Sequence, residues 1–321
     1  MQENIAVSVI CNAYNHEEYI RKALDGFVMQ KTNFPFEVLI HDDASTDRTA
    51  DIIREYEKKY PEIINPIYQT ENQYSKGKGL VGKIQQARVK GKYIAICEGD
   101  DYWTDPYKLQ KQFDAMEKHP EVDVCSHASE TIEAKSGKIL NYTMPSRKNG
   151  IIPVEKVIDG GGGFVSTNSL FYRSEINKNI PEFRKYLGLD YTLQIHSSLR
   201  GGMLYLADCM SVYRLMSRNS WTQRMRKDQS KMIEHIEKVI RMLEMVDEET
   251  DYKYSKVINS HITLAKSDNV FRKVLNKQSL QPEDYDVIKT ANLKWKIKIL
   301  LYLKCPDFAN KVRQIKRNRR K

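Results

Sequence analysis

The first 130 residues alternate two hydrophobic periods, and that alternation limits the fold more than any other feature of the chain. "AVSVICNAYN", "FEVLIHDD", "NPIYQT", "KYIAICEGDD" and "VDVCSHA" are short apolar runs of strand character. Between them lie segments of helical spacing: Tyr19, Ile20, Ala23, Leu24, Phe27 and Val28 in one, Ile52, Ile53 and Tyr56 in the next, then "LVGKIQQARVKG". Near-continuous apolar strands separated by helices predict an α/β fold, a mainly parallel sheet with helices on both faces. Ligands of such sheets bind beyond the carboxyl ends of the strands. Three of those ends carry polar clusters here: Asn12, Asp42–Asp43, and Glu98 with Asp100 and Asp101. The reading predicts that they meet at one crevice.

From about 130 to 217 the pattern changes. A polar stretch precedes "GGGGFVSTNSLFYR", "LGLDYTLQIHSSLRGG" and "MLYLADCMSVYRL", which read as a second half supplying the far wall of the crevice. From 222 onward the chain reads as helical, beginning with a stripe of Met232, Ile233, Ile236, Val239, Ile240 and Leu243. The expected organisation is one domain over residues 1–218 and a helical C-terminal region over 222–321.

Composition removes several function classes. No stretch approaches the roughly 20 apolar residues that a membrane span needs. The first residues, with Glu3 and no basic run, do not read as a signal peptide. Five cysteines, scattered and never in a C-x-x-C pair, argue against a metal cage or a disulfide framework and fit a reducing cytoplasm. The net charge of +10 is local: residues 292–321 hold 11 Lys or Arg and one acid, and the remainder balances. The body is therefore not a basic nucleic-acid binder, and nucleic acid is not an expected partner. There is no G-x-G-x-x-G after the first strand and no G-x-x-x-x-G-K-[ST], which argues against a nicotinamide cofactor and a P-loop.

The acids of "CEGDDYWTDP" admit three readings. Solvated loop charge with helix capping suits Asp105. A calcium loop would need a D-x-D-x-D-G run that is missing. A divalent-metal clamp for a diphosphate uses one or two carboxylates plus substrate phosphates, and it suits Glu98, Asp100 and Asp101 on a strand end, with Gly99 letting the backbone approach. At the neighbouring strand end Ser45 or Asp47 suits capping of the next helix, while Asp42 and Asp43 suit a ribose hydroxyl or a base N–H.

Taken together, "VSVICNAYNHEEYIRKAL", "VLIHDDASTDRTADII" and "GKYIAICEGDDYWTDPYKLQKQ" resemble the successive motifs of the family 2 inverting glycosyltransferases of the GT-A fold. The later segments resemble the acceptor half of the same bacterial enzymes, so the likeness covers residues 4–218. The resemblance implies a nucleotide-sugar donor, a UDP-sugar by preference, and Mn2+ or Mg2+. It places Asn12 and Asp43, with Asp42 beside them, on the nucleoside. It makes Glu98, Asp100 and Asp101 the metal and diphosphate acids, with Asp101 the direct ligand, and Asp190 the catalytic base; the bland reading of Asp190 is a cap for "YTLQIHSSL". Many members carry a histidine two residues beyond "YR". This chain has Met216 there, so carboxylates and water alone would hold the metal. The absence of a Q-x-x-R-W motif argues against a processive synthase.

The expected reaction is transfer to a glycan or lipid-linked acceptor in cell-surface polysaccharide synthesis. A nucleotidyltransferase is the enzymatic rival, but it would want a glycine-rich phosphate loop in place of "CNAYNHEEY". An inactive binding module would lack a donor-site acid, and all are present. "LKWKIKILLYLK" followed by "KVRQIKRNRRK" reads either as a solvated basic end or as an amphipathic segment on an anionic membrane, the inner face of the plasma membrane.

Overall fold

In the computed structural model, the described residues are 5–77, 79–217 and 228–305, with Gln223 and Met225 between the last two stretches. The chain divides into two compact units, Met1–Ser220 and Trp221–Lys321.

The first unit opens with β1 (Val7–Ala13), α1 (Ile20–Val28), β2 (Phe36–Asp42), α2 (Thr49–Lys59), β3 (Ile64–Tyr68), α3 (Gln73–Lys76), α4 (Leu80–Arg88) and β4 (Tyr93–Ile96). It continues through β5 (Tyr102–Trp103), α5 (Lys108–Lys118), β6 (Val124–Glu133), β7 (Ile139–Thr143), β8 (Gly150–Ile152) and α6 (Val154–Gly160). It closes with β9 (Phe171–Arg173), α7 (Glu182–Tyr186), α8 (Asp190–Ser198) and β10 (Met203–Leu215). Along the sheet the order is β3-β2-β1-β4-β9-β6-β10-β5, with β7 on β6 and β8 on β10.

The strands that the apolar runs predicted, β3, β2, β1 and β4, are parallel neighbours. β6 and β10 are also parallel, but β9 lies antiparallel between β4 and β6. The sheet is thus mixed where the chain turns from its first half to its second. Side-chain alternation builds two cores. Val7, Val9, Cys11 and Ala13 of β1 point into one that includes Leu24, Phe27 and Ile53 from α1 and α2. Ile10 points into the other, with Ile94, Val157 and Leu193. The third predicted helix stops earlier than its sequence suggested. α4 ends at Arg88, because Val89 turns extended, and Gly91 instead lies against the backbone of Ser8.

The second unit holds α9 (Gln229–Glu249), α10 (Ser255–Leu275), α11 (Pro282–Thr290) and α12 (Leu293–Lys304). Asp228 caps α9 by accepting from the Lys231 N–H, and Asn292 caps α12 by accepting from Trp295. Of the predicted stripe, Ile233 and Leu243 are buried and the other four are half-buried. Val270, Phe271, Ile288 and Ile299 form a small core joining α10, α11 and α12. Among the described residues no helix is long and apolar enough to cross a membrane. Residues 306–321 of the basic tail lie outside the described residues.

Candidate active site

The three polar strand ends meet. β1 pairs with β2 so that Asn12 faces His41 and Ala13 faces Asp42, while Ile10 faces Ile96 on β4. Asn12 then reaches across: its backbone N–H donates to Glu98 Oε2 at 3.2 Å and its Nδ2 to Oε1 at 3.3 Å. Gln85 of α4 ties the same strand ends from behind, donating to the carbonyls of Cys11 and Leu39. A Cβ at Gly99 would lie 2.8 Å from His16 Nδ1 and 2.9 Å from Ile20, so only glycine lets the acid loop sit this close to the start of α1.

The two adjacent aspartates of that loop face different ways. Asp101 is buried, accepting from the Arg214 backbone N–H at 2.8 Å and from Asn168 Nδ2 at 3.0 Å. Asp100 is half-exposed, and its Oδ2 accepts from the Ser217 hydroxyl at 2.5 Å. Register explains the difference. β5 pairs antiparallel with Ser211 and Val212 of β10, so β10 runs alongside the loop and presents the Arg214 N–H to Asp101. Past the strand, Met216 takes a left-handed φ of 67° and Ser217 turns back onto Asp100. The Arg214 guanidinium donates to the Asp100 carbonyl at 2.6 Å and stacks 4.4 Å over the Tyr102 ring, a placement worth about 2 kcal/mol when desolvated.

At the β2 end the carboxylates are engaged with their own chain. Asp43 accepts the backbone N–H groups of Gln73 (2.6 Å) and Tyr74 (3.1 Å), anchoring α3, with His41 Nε2 3.3 Å away. Asp42 Oδ2 accepts from the Ser45 N–H at 3.3 Å, and its buried Oδ1 has no partner. Asp47 caps the entry to α2 through the Thr49 N–H at 2.9 Å.

The second half of the unit carries the remaining expected site residue. Asp190 is the first residue of α8, but its side chain does not close the helix end. Thr192 does so instead, accepting from the Leu189 N–H at 3.3 Å and donating to the Leu189 carbonyl at 2.7 Å. The Asp190 carboxylate takes the Thr167 hydroxyl on Oδ2.

Electrostatics tie the two walls together. Burial, then the charge of Asp190, then that of Asp100 push the Glu98 carboxyl up from an ordinary 4.5 to about 8. Asp190 and the acid loop are therefore within charge range of each other. Burial also raises Asp190, offset by the Thr167 hydrogen bond; the group is reached by water, which moderates the effect. Burial, reinforced by Asp100, holds Asp101 well above the usual carboxylate range. The Cys11 and Cys97 thiols are buried and pushed up by that burial, as inert structural cysteines should be.

The resemblance named the acids but not the residues that hold them. Thr167, Asn168 and Ser217 are buried or half-buried neutral side chains inside the quoted "VSTNSL" and just beyond "VYR", and only their contacts mark them out. His16 belongs with them: it packs on Gly99 with a buried, unpartnered Nδ1. The acids of the loop offer oxygen donors, which suit Mg2+ or Mn2+ better than zinc. Among the described residues no three acidic, His or Cys side chains form a ready-made cage. Such a set fits an ion that brings substrate phosphates and water as its remaining ligands.

A mainly parallel mixed sheet with helices on both faces and an acid loop at the end of β4 is the architecture of the GT-A class of glycosyltransferases. The sequence model described as Glycosyl transferase family 2 matches residues 8–181, and the chain belongs to that family. A protein of Mycobacterium tuberculosis described as uncharacterised is 38% identical over 216 residues, 67% of this chain and 60% of that one. This chain thus spans about 60% of the length of that relative. The putative teichuronic acid biosynthesis glycosyltransferase TuaG of Bacillus subtilis is 36% identical over 110 residues, 34% of this chain and 41% of its own. Among solved structures, Staphylococcus aureus TarS 1-349 with UDP-GlcNAc matches with a TM-score of 0.55 at 16% identity, covering 92% of this chain and 87% of that one. The mannosyltransferase PcManGT of Pyrobaculum calidifontis, with GDP-Man and Mn2+, matches at 0.52 and 16%, covering 95% and 85%. At such identities these two establish the fold.

Proposed function

We propose that this enzyme transfers a sugar, with inversion, from a nucleotide-sugar donor to a hydroxyl of a glycan or lipid-linked acceptor in cell-surface polysaccharide synthesis. The observation that supports the reading is that Thr167 and Asn168, adjacent in one turn, hold Asp190 and the acid-loop residue Asp101 respectively, with the charge of Asp190 felt at Glu98. An inverting transfer needs a base on the acceptor hydroxyl and charge stabilisation for the departing nucleoside diphosphate, and no covalent nucleophile. Asp190 is that base. Thr167 fixes its Oδ2, and the raised affinity of the carboxylate for a proton serves proton abstraction. Asn12 and the β2 end form the nucleoside wall, with Asp42 offering its unpartnered oxygen and Asp43 fixing the turn at α3.

Asp100 and Glu98 would hold Mn2+ or Mg2+, which supplies positive charge at the leaving diphosphate when bound. In this reading the direct-ligand role that the resemblance gave to Asp101 passes to Asp100. Asp101 instead braces the loop from inside through Asn168 and Arg214. Donors bound by the structural neighbours, UDP-GlcNAc in TarS and GDP-Man in PcManGT, support a nucleotide sugar, and the TuaG likeness supports a cell-surface product. We place the enzyme in the cytoplasm, at the inner face of the plasma membrane, where a lipid-linked acceptor would be presented.

A thermal-shift panel of nucleoside diphosphates and nucleotide sugars, with and without Mn2+, tests the reading. Stabilisation by a uridine or guanosine diphosphate that grows with Mn2+ is expected. Indifference to every nucleotide would refute it.

A further inference from the structure

We propose that the exposed face of α12 docks on an anionic lipid bilayer. The helix carries apolar side chains on two opposite sides. One side completes the small C-terminal core: Ile299 is fully buried, and the Phe271 ring lies 6.0 Å from Trp295 and 5.1 Å from Tyr302. That contact accounts for one stripe and leaves the other unexplained. Leu293, Ile297 and Leu300 follow one another at helical spacing of four and three, with Leu303 at the edge. They are 73%, 57%, 40% and 42% exposed, respectively. Isolated exposed apolar residues are ordinary, but four on one side of a twelve-residue helix form an apolar strip.

Charge identifies the occupant. Lys294, Lys296, Lys298 and Lys304 are the helix's charged residues, and it has no acid. Seven further Lys or Arg and a single acid follow in residues 306–321. Lys298 is turned to the other side, its ammonium over the Phe271 and Trp295 rings. An apolar strip on a helix whose only charged residues are lysines is the pattern of a helix lying in a membrane interface. Twelve residues are too few to cross the hydrocarbon, so the helix lies flat. Apolar insertion and a polybasic segment together supply the two signals that stable anchoring takes. The purpose of the contact, bringing the crevice to a lipid-borne acceptor, rests on the proposed transfer reading. The contact itself needs no turnover, so its test can fail while the transfer reading stands.

The experiment is co-sedimentation of the full chain with vesicles of phosphatidylcholine alone or mixed with phosphatidylglycerol, at low and high salt. Binding is expected only with the anionic lipid and should weaken with salt. The double variant Leu293→Glu, Ile297→Glu changes two exposed positions and keeps the basic tail. Circular dichroism should show it folded, with vesicle partition lowered by about tenfold or more, because carboxylates replace inserting side chains at a negative surface. Sedimentation of this variant equal to wild type would overturn the inference, since the tail alone would then suffice. Failure of the wild-type chain to bind would also overturn it. So would wild-type dimerisation that the double variant abolishes, for then a second copy covers the face.

Discussion

Thr167 and Asn168 are neighbours in one short turn, yet they hold opposite walls of the crevice. The Thr167 hydroxyl donates to Asp190, while Asn168 Nδ2 donates to Asp101 at 3.0 Å. Asn168 is buried and bonded on every side: it also donates to the Val212 carbonyl, and it accepts from the Ser211 hydroxyl at 2.7 Å and from the Trp103 indole at 2.9 Å. A turn tied this firmly sets Asp190 and the acid loop relative to each other.

The inward-facing Asp101 should act on stability, and Asp100 on the ligand. Asp101→Ala leaves the buried Arg214 N–H without its acceptor, a loss of about 1–3 kcal/mol. Asp100→Asn should leave the melting temperature nearly unchanged and abolish Mn2+-dependent binding of a nucleoside diphosphate. Chemical denaturation and calorimetry on both variants check the pair.

Removing the Thr167 hydroxyl should move a pH profile. Its hydrogen bond to Asp190 favours the charged carboxylate, so Thr167→Val raises the pKa of the base. The acidic limb of kcat/KM then shifts to higher pH, with activity recovering as pH rises. Thr167→Ser, which keeps the hydroxyl, should restore the original limb. A uniform loss at every pH in Thr167→Val would mean the residue only packs.

The strand ends were legible in the sequence because apolar runs followed by polar clusters fix where a strand stops. Adjacency in a parallel sheet then brings Asn12, Asp42–Asp43 and Glu98–Asp101 together. Which of two adjacent aspartates is buried was not legible. It depends on the register of β5 against β10, a two-residue pairing with no periodicity of its own. The antiparallel β9 went unseen for the same reason, since three residues carry no pattern. Asp43 looked free because its partners, the N–H groups of Gln73 and Tyr74, are backbone atoms some thirty residues away.

Glu98 makes the apo protein pH-sensitive. Its pKa rises from 4.5 in a free chain to about 8 in the folded one, so the native state holds a proton that the unfolded state has lost. Its contribution to stability is complete below about pH 4.5 and declines as pH rises through about 8. Mn2+ with a nucleoside diphosphate should offset the repulsion and flatten that slope, raising the melting temperature more at pH 9 than at pH 6. Equal ligand shifts at both values would detach Glu98 from the bound metal.

The account rests on Asp190 as the base across from the acid loop. The most direct test is the single-turnover rate of sugar transfer by Asp190→Asn, measured beside its donor affinity. Asparagine keeps the shape and can still accept from Thr167, but it cannot take a proton. Transfer should fall by roughly 10²-fold or more with donor affinity unchanged. Transfer near the wild-type rate would contradict the account and return Asp190 to the role of a residue that merely begins α8.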